Sequence, residues 1–356
     1  MIFSIFGHSF IYYKIKKFNH INSLCVDFMD KGKYFLKNEK HFFDEFEFKN
    51  GYVIKNAKVD YGVFGTPKYD EDGNIVNAIL FCHPFQGDYS SISDFSYLIG
   101  ENKVFNKDDY FFISITSLGC PGSCSPSTSG LNHNFPNYVI DDLVNFQRKL
   151  LKEKFPNIKK VKGIIGYSLG GYIALGWSIK YPDEMDFVIH YNSSYKSQGY
   201  RYIYSHLSNR IIESTQLYAI DLYDESMSQG LILVSQLHYL MSFSKHYINK
   251  LSIEEINMSI EDVTDEILFY DLFDIKYAND FMLSTNLEDG LDKIKCNLLV
   301  IGVNSNNYYI PEYDSIPIHE SVEGSQYIFL DTGENPNHLD YIPKIEKDIE
   351  KFINSV

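Results

Sequence analysis

The feature that most constrains this chain is a short apolar run, KGIIGYS at 162–168, that passes directly into LGGYIALGWSIKY. Its centre reads Gly166-Tyr167-Ser168-Leu169-Gly170-Gly171, which fits G-x-S-x-G. An apolar run of that length predicts a buried strand, and the residues after it predict a helix. A strand that turns straight into a helix strains the residue at the apex. Its neighbours must lack side chains if the two backbones are to approach closely. The helix starting behind Ser168 offers unpaired N–H groups and the positive end of its dipole. A serine in that position can attack an electrophilic carbon while nearby N–H groups stabilise the oxyanion that develops. The letters alone carry little. The strand–turn–helix setting gives them weight.

Other segments extend the pattern. Residues 46–66 predict a hairpin, with Asn50-Gly51 as its turn. NAILFCH (77–83), YFFISI (110–115), DFVIHYN (186–192), CNLLVIGVN (296–304) and SQYIFLDT (325–332) predict strands. Residues 137–154 have helical spacing with Asn137 as an expected cap, and IPKIEKDIEKFINSV predicts a closing helix. Alternating strands and helices imply a mostly parallel sheet covered on both faces. The pattern changes at 193–290, which is helical and rich in Tyr, Ser and Leu. That insertion is expected as a lid over the carboxyl ends of the strands, where such sheets bind ligands. The expected organisation is an N-terminal extension at 1–40, a core formed by 41–192 and 291–356, and the lid between them.

A serine nucleophile needs helpers. The loop after NAILFC is His83-Pro84-Phe85-Gln86-Gly87, so the backbone N–H groups of Phe85 and Leu169 are the expected oxyanion donors. His83 is expected to shape that loop. In this strand–turn–helix arrangement an acid and then a histidine follow the serine along the chain. His338 is the expected base, with His319 as its rival inside a predicted helix. The turn after CNLLVIGV holds Asn304-Ser305-Asn306-Asn307 and no carboxylate. This turn by itself does not say which residue orients His338, and Asp314, Glu312, Asp331 and Glu334 are carboxylates elsewhere that could serve.

Composition narrows the function classes. A net charge of −15 argues against nucleic acid and against an anionic membrane surface. The five cysteines are widely spaced and do not suggest a disulfide framework, which points to a reducing, cytoplasmic setting. Cys120 and Cys124 lack a second ligand pair, so no metal is expected. The opening MIFSIFGHSFIYYKIKKF is apolar before it is basic and is broken by Gly7, His8 and Ser9. It suits neither a secretory signal nor a membrane span. No P-loop or dinucleotide motif is present, so no bound cofactor is expected.

Four blocks taken in order resemble the homoserine O-acetyltransferase family of the α/β-hydrolase superfamily. They are NGYVIKNAKVDYGVFGTPKYDEDGNIVNAILFCHPFQGD, LIGENKVFNKDDYFFISITSLGCPGSCSPSTSG, GYSLGGYIALGWSIKYPD and LLVIGVNSNNYYIPE. The resemblance implies an α/β-hydrolase fold and an acyl-enzyme on Ser168 activated by His338. It further implies an acyl donor such as acetyl-CoA as co-substrate, a small hydroxyl acceptor or water, and a homodimer joined through the lid. Three positions depart from the family pattern. Asn306 aligns with its catalytic Asp, and Leu339 rather than an Asp follows His338, with Asp340 one place later. The matching lid stretch, 228–243, has no Arg. The chain's three arginines, Arg148, Arg201 and Arg210, lie elsewhere, and only Arg201, Arg210 or Lys245 could approach a carboxylate. A site without either end of an amino-acid clamp is not expected to select homoserine. The competing expectation is a catalytically impaired protein of this fold that binds or scaffolds.

Overall fold

The computed structural model describes residues 37–85, 87–215, 225–268, 270–333 and 335–356. The sheet has eight strands, β1 Lys37–Glu47, β2 Val53–Gly65, β3 Ala78–Cys82, β4 Phe111–Ile115, β5 Val161–Tyr167, β6 Met185–Tyr191, β7 Asn297–Val303 and β8 Gln326–Leu330. Their order is β1-β2-β4-β3-β5-β6-β7-β8. β1 and β2 are antiparallel, as is the β2–β4 pair, and the other neighbours are parallel. Every predicted strand is present. β1 starts at Lys37, inside the segment expected as an N-terminal extension. The rest of that segment, 1–36, lies outside the described residues.

The central strands read as unbroken apolar runs because both faces are covered. On β3, Ala78, Leu80 and Cys82 join one core cluster while Ile79 and Phe81 join the other. On β7, Leu298 and Val300 face the first, and Leu299, Ile301 and Val303 face the second. This is the two-residue period of a strand with an apolar environment on each side. Helix α1 (Ile140–Lys154) and helix α2 (Leu169–Lys180) cover the first face through Phe146, Leu150, Tyr172 and Trp177. The last helix covers the second face through Ile349 and Phe352. Asn137 does not cap α1. Asp142 does so from inside the helix, accepting the backbone N–H groups of Val139 at 2.9 Å and Lys49 at 2.6 Å.

Between β6 and β7 stand α3 (Gly199–Glu213), α4 (Glu225–Ser242), α5 (Ile253–Ile267) and α6 (Leu272–Ser284). They have their own small core around Ile212, Leu231, Val234, Leu272 and Phe273. Several polar contacts fasten this insertion to the body. Arg201 and Asp314 form a buried bidentate ion pair, at 2.6 and 2.9 Å. Asn307 donates its N–H to the Met241 carbonyl at 3.1 Å and its amide to the Phe243 carbonyl at 2.8 Å. Asp274 accepts the N–H and hydroxyl of Ser127 at 2.9 and 2.6 Å. Among the described residues, no helix is long and apolar enough to cross a membrane.

Asp274 makes the insertion's attachment pH-dependent. Burial, together with the charge of Asp271, raises its pKa to about 7, while the serine hydrogen bonds only partly offset the shift. The folded chain therefore holds this proton more tightly than the unfolded chain does. Stability from this group is greatest below the ordinary carboxylate pKa and declines as pH rises, levelling above about 7. Thermal unfolding midpoints should fall between about pH 4 and pH 7, and Asp274→Asn should flatten that slope. An unchanged slope in the variant would show that Asp274 does not titrate in this range.

Candidate active site

Ser168 sits at the apex between β5 and α2 with φ 54° and ψ −119°, a backbone conformation unfavourable for a residue with a side chain. The glycines around it explain how this is tolerated. A Cβ on Gly170 would overlap the Cys82 carbonyl, one on Gly166 the Gly170 carbonyl, and one on Gly171 the Ser193 side chain. The backbone thus approaches itself at every position where the motif places glycine. The Ser168 N–H donates to the Tyr191 carbonyl at 3.2 Å, and the Ser168 carbonyl accepts from Gly171 N–H and the Ser193 hydroxyl. Strain at the apex is held by these bonds to β6 and α2.

The two expected oxyanion donors flank this turn. Leu169 is the first helical residue, so its N–H has no intrahelical acceptor. Among the described residues the Phe85 N–H also has no acceptor. Gly170 brings α2 against the loop that carries Phe85, because its neighbours are the carbonyls of Cys82 and His83. His83 is fully buried and serves the loop. Its Nε2 accepts the Ser117 N–H at 2.8 Å, leaving Nδ1–H to donate to the Pro84 carbonyl at 2.8 Å. Burial holds it below its ordinary pKa, so it stays neutral and keeps both bonds.

His338 lies beside the nucleophile strand but is not bonded to Ser168. Its Nε2 is 3.2 Å from the Tyr167 hydroxyl and 3.0 Å from the Asn192 amide nitrogen, while Nδ1 is 3.1 Å from the Tyr191 hydroxyl. Burial lowers its pKa to about 4, so the ring is neutral at physiological pH. The Ser168 hydroxyl instead meets the Tyr309 hydroxyl at 3.3 Å. Tyr309 is buried, and the Arg201 guanidinium lies 5.2 Å from its ring centre.

The structure does not bring Asn306 to His338. Its Oδ1 accepts the N–H groups of Tyr308 and Tyr309, both at 2.9 Å, and its amide donates to the Ser305 hydroxyl at 2.9 Å. The side chain is spent on folding its own turn, as Asn commonly does. The alternative acids are occupied as well. Asp314 pairs with Arg201, Asp331 accepts from Asn304 and Gly333, and Glu312 is exposed. Glu334 lies outside the described residues. Asp340 accepts from Tyr97 at 3.2 Å, and His319 bonds Ser325 at 2.8 Å within its own helix-to-strand connection. Arg201 is not free to hold a substrate carboxylate. Beyond Asp314 it donates to the carbonyls of Tyr308 and Lys196 at 2.7 and 2.9 Å. No group of His, Cys, Asp and Glu suited to a metal exists among the described residues. Tyr191 and Asn192, which the sequence reading passed over, are the main partners of His338. Their only signal in the sequence is that they end the strand next to the nucleophile strand.

Comparison with known proteins places this arrangement. A family model described as the alpha/beta hydrolase fold matches residues 77–275, and the chain belongs to that family. It is a divergent relative of the homoserine O-acetyltransferases. It is 36% identical over 310 residues to a probable acyltransferase of Methanothermobacter thermautotrophicus, covering 87% of this chain and 95% of that one. It is 28% identical over 346 residues to a homoserine O-acetyltransferase of Leptospira biflexa, covering 86% and 90%. Two solved structures share the fold at a TM-score of 0.78. One is homoserine O-acetyltransferase from Bacillus anthracis, at 20% identity and 90% and 98% coverage. The other is an acetylester hydrolase from Corynebacterium glutamicum, at 21% identity and 89% and 96% coverage. The chain is thus an α/β-hydrolase-fold enzyme of the group that contains O-acyltransferases and serine hydrolases.

The close packing of the elbow has a direct consequence. Gly170→Ala must push a methyl group into the Cys82 carbonyl, which is backbone and cannot move aside. Overpacking of this kind should cost about 1–3 kcal/mol or more in urea unfolding. A variant as stable as the native chain would mean that the elbow is not this tightly packed.

Proposed function

We propose that this enzyme transfers an acyl group through an ester on Ser168 to a small hydroxyl acceptor or to water. The observation that carries the reading is the strained Ser168 backbone, fixed by Gly166, Gly170 and Gly171 and followed by the N-terminus of α2. A structural turn has no physical reason to hold a serine in this conformation. In the proposed reaction the Ser168 oxygen attacks the carbonyl carbon of a thioester or ester donor such as acetyl-CoA. His338 Nε2 takes the serine proton, and the Leu169 and Phe85 N–H groups hold the oxyanion. Collapse expels the thiol or alcohol, which leaves with the proton from His338. An acceptor hydroxyl or water then attacks the ester while His338 takes its proton, and collapse returns that proton to Ser168.

Three contacts must be exchanged for this to occur. The donor displaces the Tyr309 hydroxyl from Ser168, and Nε2 gives up Tyr167 and Asn192 for the serine oxygen. The same three contacts favour the second reading, a binding protein with an idle site. Homoserine is not the acceptor we propose, because Arg201 is committed to Asp314 and carbonyls. We also propose a cytoplasmic setting, consistent with free thiols at Cys82, Cys120, Cys124 and Cys296. A homodimer through the helical insertion would cover apolar side chains such as Ile203, Leu207 and Leu240, which are exposed in the single chain.

Turnover of acetyl-CoA and p-nitrophenyl acetate, with and without L-homoserine, tests the reading. Ser168→Ala should abolish turnover and labelling by a fluorophosphonate, and retained turnover would end the mechanism. The pH profile gives a second test. His338 is held neutral down to about pH 4, so the base form persists as pH falls. The acid limb of kcat/KM should therefore lie below the ordinary histidine value of about 6.5. An acid limb near 6.5 would mean that the working base is less buried than His338.

A further inference from the structure

Resting on the Ser168–His338 reading, we infer that the Tyr191 hydroxyl takes the place of the missing acid and orients His338 for catalysis. Tyr191 ends β6 and is the register partner of Tyr167 on β5, so two phenols from neighbouring strand ends converge on one imidazole. The three rings pack together with centroids 5.5–5.7 Å apart, and Phe95 closes over both tyrosines at 5.4 and 5.6 Å. Tyr191 also touches the nucleophile directly, because its carbonyl accepts the Ser168 N–H at 3.2 Å. One residue therefore positions both the backbone of the serine and the ring of the histidine.

The hydrogen bonds define which nitrogen carries the proton. The Asn192 amide donates to His338 Nε2 at 3.0 Å, so that nitrogen carries the lone pair. A neutral imidazole has one N–H, which then lies on Nδ1 and donates to the Tyr191 oxygen at 3.1 Å. The Tyr191 hydroxyl donates onward to the His338 carbonyl at 3.5 Å. This is the tautomer that a general base needs, with its lone pair on the nitrogen that must receive the serine proton. An acid ordinarily fixes it with a negative charge. Tyr191 is buried, and burial raises its pKa, so it remains a neutral phenol that holds the Nδ1–H by geometry, beside the Asn192 amide that leaves the lone pair on Nε2.

No carboxylate among the described residues is hydrogen-bonded to His338. Asp314 is paired with Arg201, Asp331 with Asn304 and Asp340 with Tyr97. Asp94 is felt electrostatically at Tyr167 rather than at the imidazole. The groups hydrogen-bonded to the ring are thus Tyr167, Tyr191 and Asn192, all uncharged.

The test is Tyr191→Phe in the full chain, which removes one oxygen from a site already walled by aromatic rings. Turnover of p-nitrophenyl acetate and the 15N resonances of labelled histidine are measured together, with His338 assigned by comparison with His338→Gln. In the native chain His338 should show the Nδ1–H tautomer. In the variant that preference should weaken, because only the Asn192 amide then supports it, kcat should fall about tenfold or more, and KM should stay within about twofold. The rate of fluorophosphonate labelling at Ser168 should fall with kcat. An unchanged tautomer in Tyr191→Phe would overturn the inference, whether kcat is retained or lost, because a lost kcat would then reflect packing alone. If the native chain shows neither turnover nor labelling, the acyl-transfer reading fails. The tautomer comparison then judges the hold of Tyr191 on His338 by itself.

Discussion

The structure depends on the close approach of α2 to the ends of β3 and β6. Gly170 lies against the Cys82 carbonyl, and Gly171 lies against Ser193. That contact sets the apex conformation of Ser168 and aims the first N–H of α2 toward the Phe85 loop. It also brings the Ser168 N–H to the Tyr191 carbonyl. A side chain at either glycine would separate the helix from the sheet. Ser168, the N–H groups of Leu169 and Phe85, and the strand that supports His338 would then lose their common frame.

Around that frame the polar groups divide into those that build and those left for chemistry. His83, Asn306, Asp314 and Arg201 all resemble functional residues when read in isolation. Each spends its hydrogen-bonding capacity on the fold. His83 ties two loops, Asn306 closes its own turn, and Arg201 with Asp314 fixes the helical insertion over the β7 turn. Removing one partner of such a buried pair would cost about 3–5 kcal/mol, because the other charge would remain desolvated. What remains for chemistry is a small group of uncharged side chains at the strand ends: Ser168, His338, Tyr191, Asn192 and Tyr309. The site is therefore poor in charge although the chain carries a net −15.

Tyr309 links the insertion to Ser168. Its neighbour Asn307 is bonded to the end of α4, and its ring lies beside Arg201 of α3. A movement of the insertion would be felt at the hydroxyl that now meets Ser168. Asp274 fastens α6 of the same insertion to the Ser127 turn.

The sequence by itself determined the strands and the glycine-flanked turn at Ser168, because these depend on local rules. Apolar runs form buried strands, and a glycine-flanked serine between strand and helix has one workable geometry. The helix cap was local too, yet Asp142 outcompeted Asn137 because it could also accept the Lys49 N–H from the preceding hairpin. Partner choice for His338 was not legible in this way. Alignment with the relatives' pattern pointed to Asn306, whereas in the fold that amide turns inward to its own backbone. The partners that reach the imidazole come from β5 and β6, about 150 residues earlier in the chain. Hydrogen bonds over such separations depend on strand register and ring packing, so only the tertiary structure could decide them.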